Sequence, residues 1–319
     1  MKFVYTTILI FILIGLIGFS YIESDSTVYN KINLGKLLFK DKILSKDSSV
    51  SCSSCHKQEF AFADTMSFSI GINGKKTKRN VPSVLNMKNR PYYFWDGRAE
   101  SLAEQALMPI QNPDEMGLTI EEAISRLNAS VFYKNYFQKV FNQNPNAKNL
   151  AIAFAAFENT LETVDSKFDD WSNNIQKLSA SEERGREVFL SDKAKCFDCH
   201  FQEDFTNDDF KNIGIFNGIE FNDSGRFSIT HDSSDIGKFK TPGLRNIAVT
   251  APYMHNGMFA TLEQVVNYYN DTRKIIPNSI NIDAALSKPL GLTEKEKTDL
   301  VAFLKTLTDK KYANNHSKK

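Results

Sequence analysis

Ser51-Cys52-Ser53-Ser54-Cys55-His56 and Lys195-Cys196-Phe197-Asp198-Cys199-His200 hold all four cysteines of the 319-residue chain and two of its five histidines. Each is a Cys-x-x-Cys-His motif, and the two lie about 140 residues apart. Two disulfides would account for four cysteines in an exported protein, but a disulfide gives no reason for a histidine to follow the second cysteine both times. A shared zinc site is geometrically open to two such pairs, yet neither sits in the short loop of a zinc ribbon. Covalent haem attachment uses every element: two thiols reach the two vinyl groups of a porphyrin, and the adjacent histidine turns under the ring to bind iron. The motifs therefore predict two c-type haems, one on Cys52, Cys55 and His56, the other on Cys196, Cys199 and His200, with His56 and His200 as iron ligands.

The residues before each motif repeat. Gly35-Lys36-Leu37-Leu38-Phe39 precedes the first and Gly185-Arg186-Glu187-Val188-Phe189 the second, so each half begins with the same helix. The longer spacing in the first copy predicts an extra loop beside that haem. Ser179-x-x-Glu182 is a capping box for the second helix, Thr119-x-x-Glu122 caps a helix through Leu127, and Thr293-x-x-Glu296 opens one with Leu300, Val301, Phe303, Leu304 and Leu307 on its apolar side. An apolar stretch from Leu150 to Val164 predicts another helix, packed within the first half. No strand pattern rivals these, so the fold class is mainly α, with two cytochrome c-like helical domains. The apolar pattern thins between Val164 and Ser179, where Asp165, Asp169, Asp170, Asn173 and Asn174 fall, which divides the chain into residues 26–170 and 171–319.

Lysine plus arginine (39) balances aspartate plus glutamate (38), leaving a net charge of +1 and no basic field of the kind nucleic acid requires. Hydrophobic residues at 41% and charged residues at 24% describe a globular chain rather than a disordered one. Met1-Lys2 is followed by a nearly unbroken apolar run from Phe3 to Ile22 and then by polar residues, an export signal over residues 1–25. The run approaches the length that spans a bilayer and lacks a clear small-residue cleavage site, so a signal peptide and an uncleaved membrane anchor are both open. Either places the body of the protein outside the cytoplasm, in the periplasm.

With the haem motifs assigned, further segments carry a resemblance: Arg79-Asn80-Val81-Pro82-Ser83-Val84-Leu85-Asn86, Phe94-Trp95-Asp96-Gly97-Arg98-Ala99, Glu104-Gln105-Ala106-Leu107-Met108-Pro109-Ile110, Asn112-Pro113-Asp114-Glu115-Met116-Gly117, Thr241-Pro242-Gly243-Leu244-Arg245-Asn246, Thr250-Ala251-Pro252-Tyr253-Met254-His255-Asn256-Gly257 and Phe259-Ala260-Thr261-Leu262-Glu263. In this order they resemble the bacterial dihaem cytochrome c peroxidases and the related MauG-like proteins. The resemblance implies that the haem at Cys52 is peroxidatic and the one at Cys196 transfers electrons. It implies Glu115 as distal acid/base, Gln105 as the amide beside it, and Trp95 as the relay between the haems. Heterolysis of a peroxide asks for such a base and such polar groups. It further implies a calcium site from Asn80 and the carbonyls of Thr250 and Pro252, oxygen donors that suit a hard cation.

Two positions depart from the peroxidase pattern. Many of these enzymes carry, on the loop after the first motif, a histidine that closes the peroxidatic iron; an ungapped alignment puts Ile72 there, and isoleucine cannot bind iron. The first haem is thus expected to be open at rest. The distal methionine of the second haem is replaced by Tyr269, as in MauG-like proteins; Met254 and Met258 are the alternative ligands. A phenolate favours ferric and higher-valent iron, whereas a thioether raises the potential. His255 is expected near the second haem without binding iron, and His231 and His316 at the surface.

The leading expectation is a peroxidase that reduces hydrogen peroxide to water with electrons from a small redox protein such as a monohaem cytochrome c or a cupredoxin. MauG-like oxidation of a protein or small molecule is the second reading, favoured by Tyr269 and Ile72, and a non-catalytic electron-transfer cytochrome the third. Homodimers are common among similar proteins.

Overall fold

The computed structural model describes residues 28–313. The 1–25 segment and His316 lie outside the described residues. The described chain is mainly helical. Its first half holds α1 (Lys31–Lys40), α2 (Cys52–Cys55), α3 (Leu102–Gln105), α4 (Met108–Gln111), α5 (Ile120–Ala129), α6 (Val131–Phe141) and α7 (Ala147–Glu158). The second half holds α8 (Lys167–Ser172), α9 (Ala180–Leu190), α10 (Phe227–Thr230), α11 (Leu262–Asn270), α12 (Thr272–Ile275), α13 (Glu294–Thr306) and α14 (Lys310–Ala313). The sheet among these residues is one antiparallel pair, β1 (Phe210–Lys211) with β2 (Phe239–Lys240), Phe210 opposite Lys240. No helix among the described residues is long and apolar enough to cross a membrane.

The capping signals start helices where they predict them. Ser179 and Glu182 exchange hydrogen bonds at the head of α9, Thr293 and Glu296 do so at α13, and the Thr119 hydroxyl accepts from the Glu122 amide at α5. Each satisfies amide hydrogens that the first helical turn leaves without a partner.

The repeated Gly-x-x-x-Phe has a packing cause. α1 lies against α7 and α9 against α13, and the glycine marks the closest approach in each pair. A β-carbon on Gly35 would stand 2.0 Å from the Ala153 carbonyl oxygen, and one on Gly185 would stand 1.9 Å from that of Asp299. No side chain fits at those separations. One turn on, Phe39 and Phe189 are each 2% exposed and anchor separate hydrophobic clusters. Burying such a ring is worth roughly 1.5–3 kcal/mol. The first cluster gathers residues from Leu34 to Phe157 and takes Val249 and, from α14, Tyr312; the second runs from Phe189 to Leu307 and takes Phe168 from α8.

The extra loop before the first motif is a short 3-10 turn, Lys42–Leu44, followed by residues that Arg126 of α5 holds through the carbonyls of Ser45 (2.8 Å) and Lys46 (2.9 Å). The helix predicted over Leu150 to Val164 is corrected at both ends: α7 starts at Ala147, capped by Asn146, and stops at Glu158. Beyond it Asn86 captures the chain in extended form. The Asn86 amide donates to the Leu161 carbonyl (2.8 Å), and the Asn86 side-chain oxygen accepts from the Thr163 amide (3.1 Å) and hydroxyl (2.9 Å). These contacts come from a residue 77 positions away, which a local apolar pattern does not encode.

Candidate active site

Both Cys-x-x-Cys-His motifs close on themselves in the same way. The His56 amide donates to the Cys52 carbonyl (2.9 Å), and the His200 amide to that of Cys196 (2.9 Å). The His56 Nδ1 lies 3.1 Å from the Phe62 carbonyl oxygen, and the His200 Nδ1 lies 2.8 Å from that of Phe205. Burial pushes both imidazoles toward the neutral form. A neutral ring that donates from Nδ1 keeps its Nε2 lone pair for a metal, with tautomer and ring orientation set by the carbonyl. Phe62 and Phe205 both have φ of 57°, a left-handed conformation that costs a non-glycine residue about 1–2 kcal/mol. The chain accepts that cost at both places where a carbonyl must be aimed at a histidine.

His56, Cys52 and Cys55 line a cavity of about 680 Å³, together with Gln105, Arg98 and Glu115. Glu115 belongs to the turn after α4: its amide donates to the Asn112 carbonyl, and the Asn112 side-chain amide donates back to Glu115 Oε1 at 2.7 Å. Burial raises the Glu115 pKa, while the Arg98 charge and the Asn112 hydrogen bond work against that rise. Gln105 ends α3, whose start is capped by Ser101. Arg98 Nη1 lies 2.9 Å from both oxygens of Asp96, and its guanidinium sits 3.5 Å over the Phe94 ring. The structure thus brings Glu115 and Gln105 to the cavity of His56.

Ile72 is 3% exposed and does not line this cavity, though its neighbour Gly71 does. Its amide donates to the Glu115 carbonyl (2.9 Å), and its side chain fills the space where Gly117 lacks one, 2.4 Å from an added β-carbon. Ile72 therefore packs against the back of the turn that carries Glu115.

Trp95 lines both cavities. Its Nε1 donates to the Asn80 carbonyl (2.8 Å), and its ring meets that of His255 edge-on at 6.5 Å. His255 stacks on Phe239, centroids 3.7 Å apart, and burial holds its pKa down to about 4. It lines the second cavity, where its ring nitrogens bond to no described residue. His231 is exposed. Asn80, Thr250 and Pro252 all border the second cavity. Neither the Asn80 side-chain oxygen nor the Thr250 and Pro252 carbonyls accept a hydrogen bond from a described residue, which suits three oxygens offered to a cation.

The second cavity is lined by Cys196, Cys199, His200 and Tyr269. On α11, Tyr268 turns away and donates to the Ile213 carbonyl (2.7 Å), which leaves its neighbour Tyr269 to face the cavity. Burial, reinforced by the nearby thiols, raises the Tyr269 pKa. Met254 also lines this cavity, whereas Met258 packs against the second cluster. Arg90 pairs with Asp204 and Asp208, Lys240 with Asp208, and Arg245 with Asp169 and Asp204, and all of these but Asp169 line the same cavity.

Sequence reasoning missed Arg98 and Glu158. Arg98 lies in the Phe94-Trp95-Asp96-Gly97-Arg98-Ala99 segment, whose resemblance implies a role for Trp95 alone. Glu158 ends an apolar helix and lines the first cavity, 5% exposed, its Oε2 without a hydrogen-bond partner.

The family model for di-haem cytochrome c peroxidase matches residues 29–177. Over 282 residues the chain is 37% identical to the methylamine utilization protein MauG of Methylorubrum extorquens, covering 87% of this chain and 78% of that one. It is 37% identical over 279 residues to the cytochrome c551 peroxidase of Nitrosomonas europaea, covering 86% and 79%. Among solved structures, a MauG-like protein associated with microbial copper homeostasis superposes with a TM-score of 0.79 at 36% identity, over 88% of this chain and 89% of the other. With relatives of both names aligned along most of its length, and both Cys-x-x-Cys-His histidines held alike, the chain belongs to the dihaem cytochrome c peroxidase and MauG family.

Proposed function

We propose that the protein is a dihaem cytochrome c peroxidase that reduces hydrogen peroxide to water with electrons from a small redox protein, a monohaem cytochrome c or a cupredoxin. The observation that carries this reading is the placement of Glu115 and Gln105 on the wall of the cavity that His56 also lines. An electron-transfer cytochrome without catalysis has no use for a carboxyl and an amide on that wall. In this reading each half of the chain would hold one covalent haem, the first on Cys52 and Cys55 with His56 as iron ligand, the second on Cys196 and Cys199 with His200 as iron ligand.

Bound iron porphyrin supplies one-electron redox chemistry and a Lewis-acidic centre for the peroxide. The remaining work belongs to the chain. Glu115, held by Asn112, takes the proton from the peroxide oxygen nearer the cofactor and returns it to the departing one. Gln105 offers an amide to the oxygen on which charge builds. Arg98 favours the ionised form of Glu115, the form that acts as base. Trp95, bordering both cavities, gives a conjugated path between them. His56 is the one histidine among the described residues that line the first cavity, so no second imidazole stands ready to close that site at rest. Electron paramagnetic resonance of the oxidised holoprotein should then show one high-spin haem. Two low-spin bis-histidine signals would defeat that part of the reading.

Tyr269 favours a second reading, MauG-like oxidation of a protein or small molecule, because a phenolate partner would make the second haem a sink for oxidising equivalents rather than an electron store. Steady-state peroxide consumption with a reduced cytochrome as donor separates the two: rapid turnover supports the first, and oxidising equivalents that outlast mixing by many turnovers support the second. Calcium on Asn80, Thr250 and Pro252, export to the periplasm by the 1–25 segment with or without its retention as an anchor, and a homodimer complete the proposal.

A further inference from the structure

Glu158 has no place in the chemistry above, yet it lines the same cavity as Glu115 and Gln105. It is 5% exposed, forms no ion pair with a described residue, and its Oε2 is sealed without a hydrogen-bond partner. The cations that line the same cavity are engaged elsewhere or exposed: Arg79 pairs with Asp96 and Asp223, Arg98 pairs with Asp96, and Lys78 is at the surface. α1 turns Gly35 and Phe39 toward α7, α3 brings Leu102, α2 brings Cys52, and the chain before α3 brings Tyr93. Of these only Cys52 and Tyr93 titrate. The Tyr93 hydroxyl already donates to the Met87 carbonyl, and porphyrin attachment would turn Cys52 into a thioether. The charged residues of α1, α3 and α7, namely Lys31, Lys36, Lys40, Glu104 and Lys148, are exposed. A buried carboxylate with one oxygen left without a partner costs several kcal/mol, and a carboxyl that lines a cavity avoids that cost by keeping its proton. Burial pushes the Glu158 pKa up to about 8. Glu158 is thus a neutral acid at pH 7, with a proton to give.

Peroxide reduction has a use for that proton. One hydrogen peroxide, two electrons and two protons give two waters. Glu115 takes a proton from one oxygen and returns it to the other, so it supplies none of the two in net terms. Resting on the peroxidase reading, we propose that Glu158 is a proton donor of the first cavity. Its O–H bond breaks, the proton passes across the cavity to a water being formed, and the carboxylate left behind is reprotonated from solvent. The electrons come from the reduced redox protein.

The test compares wild-type holoprotein with Glu158→Gln, which has no proton to give, and Glu158→Asp, which keeps the acid. Infrared spectra in light and heavy water should show a protonated-carboxyl band that fades as pH rises through about 8 in the wild type and is missing from Glu158→Gln. Peroxide consumption at pH 7 should fall about tenfold in Glu158→Gln, less than the 10²–10⁴ of a group acting in the transition state. The wild-type rate should decline as pH rises through the same range, the decline should vanish in Glu158→Gln, and Glu158→Asp should restore it. A missing band, or a Glu158→Gln profile parallel to wild type, overturns the proposal. Should the wild type show the band yet consume no peroxide, the peroxidase reading fails and the donor role falls with it, and the infrared result still separates that failure from a Glu158 that never held a proton.

Discussion

Beneath the two cavities the chain does the same thing twice. A glycine lets α1 touch α7 and α9 touch α13, a phenylalanine one turn on fills the core, and a left-handed residue aims its carbonyl at the histidine Nδ1. The remaining linings differ, apart from a shared border that includes Asn80 and Trp95. His56 shares its cavity with Gln105, Arg98 and Glu115, and His200 shares its own with Tyr269 and Met254. The difference teaches that holding a cofactor and using it are separable parts of this fold. The lower half is fixed by helix packing and recurs, while the upper half comes from loops and one helix face that are free to differ.

The comparison breaks most visibly at Glu115. Glu115→Gln keeps the shape and the Asn112 contact but removes the base, so kcat/KM for peroxide should drop by about 10²–10⁴ while the spectrum of the second haem stays as it was. An unchanged rate would mean that the first cavity's polar wall is not its working part. Tyr269→Phe tests the opposite wall. The spectrum of the second haem should change and that of the first should not; an unchanged second haem would hand the ligand role to Met254, which lines the same cavity.

The likeness of the lower halves is tested by Gly35→Ala and Gly185→Ala. Each adds a β-carbon within about 2 Å of a backbone carbonyl that cannot turn aside. Each should destabilise by about 1–3 kcal/mol, read as similar falls in thermal midpoint for the part of the protein concerned. Unequal losses would show that one helix pair yields more readily than its twin.

The lower halves were legible in the sequence because their causes are local. Two cysteines and a histidine within five residues, a glycine and a phenylalanine one turn apart, and serine or threonine three residues before glutamate are short patterns with a direct physical meaning. The upper walls were legible only through resemblance, and what resemblance left unassigned rests on contacts between distant segments. Ile72 read as a missing ligand, but its hydrogen bond to the Glu115 carbonyl joins segments that the sequence does not pair. α7 read as running to Val164, because Asn86, which draws the following chain into extended form, lies 77 residues upstream of Thr163. Glu158 read as the end of an apolar helix, since periodicity reports which face is buried and says nothing of a polar atom buried there without a partner.

The smallest expected effect concerns Arg98, and its sign can be worked out. Burial raises the Glu115 pKa, and the Arg98 charge is the largest influence opposing that rise. A base works when ionised, so the peroxide rate should climb as pH rises through the Glu115 pKa. Removing the positive charge with Arg98→Gln lets burial act with less opposition, so that limb should move to higher pH and never to lower. At a pH on the limb the rate should fall by a few-fold, in keeping with the roughly 0.2–1 kcal/mol of a partly exposed charge. Arg98→Lys keeps a charge but loses the twofold contact with Asp96 and the planar stacking on Phe94, so its limb should lie between the two. If both variants show the same shift, Arg98 acts by fixing the shape of the turn rather than by its charge. Arg98 does not line the second cavity, so the spectrum of the second haem should respond to pH alike in the wild type and both variants.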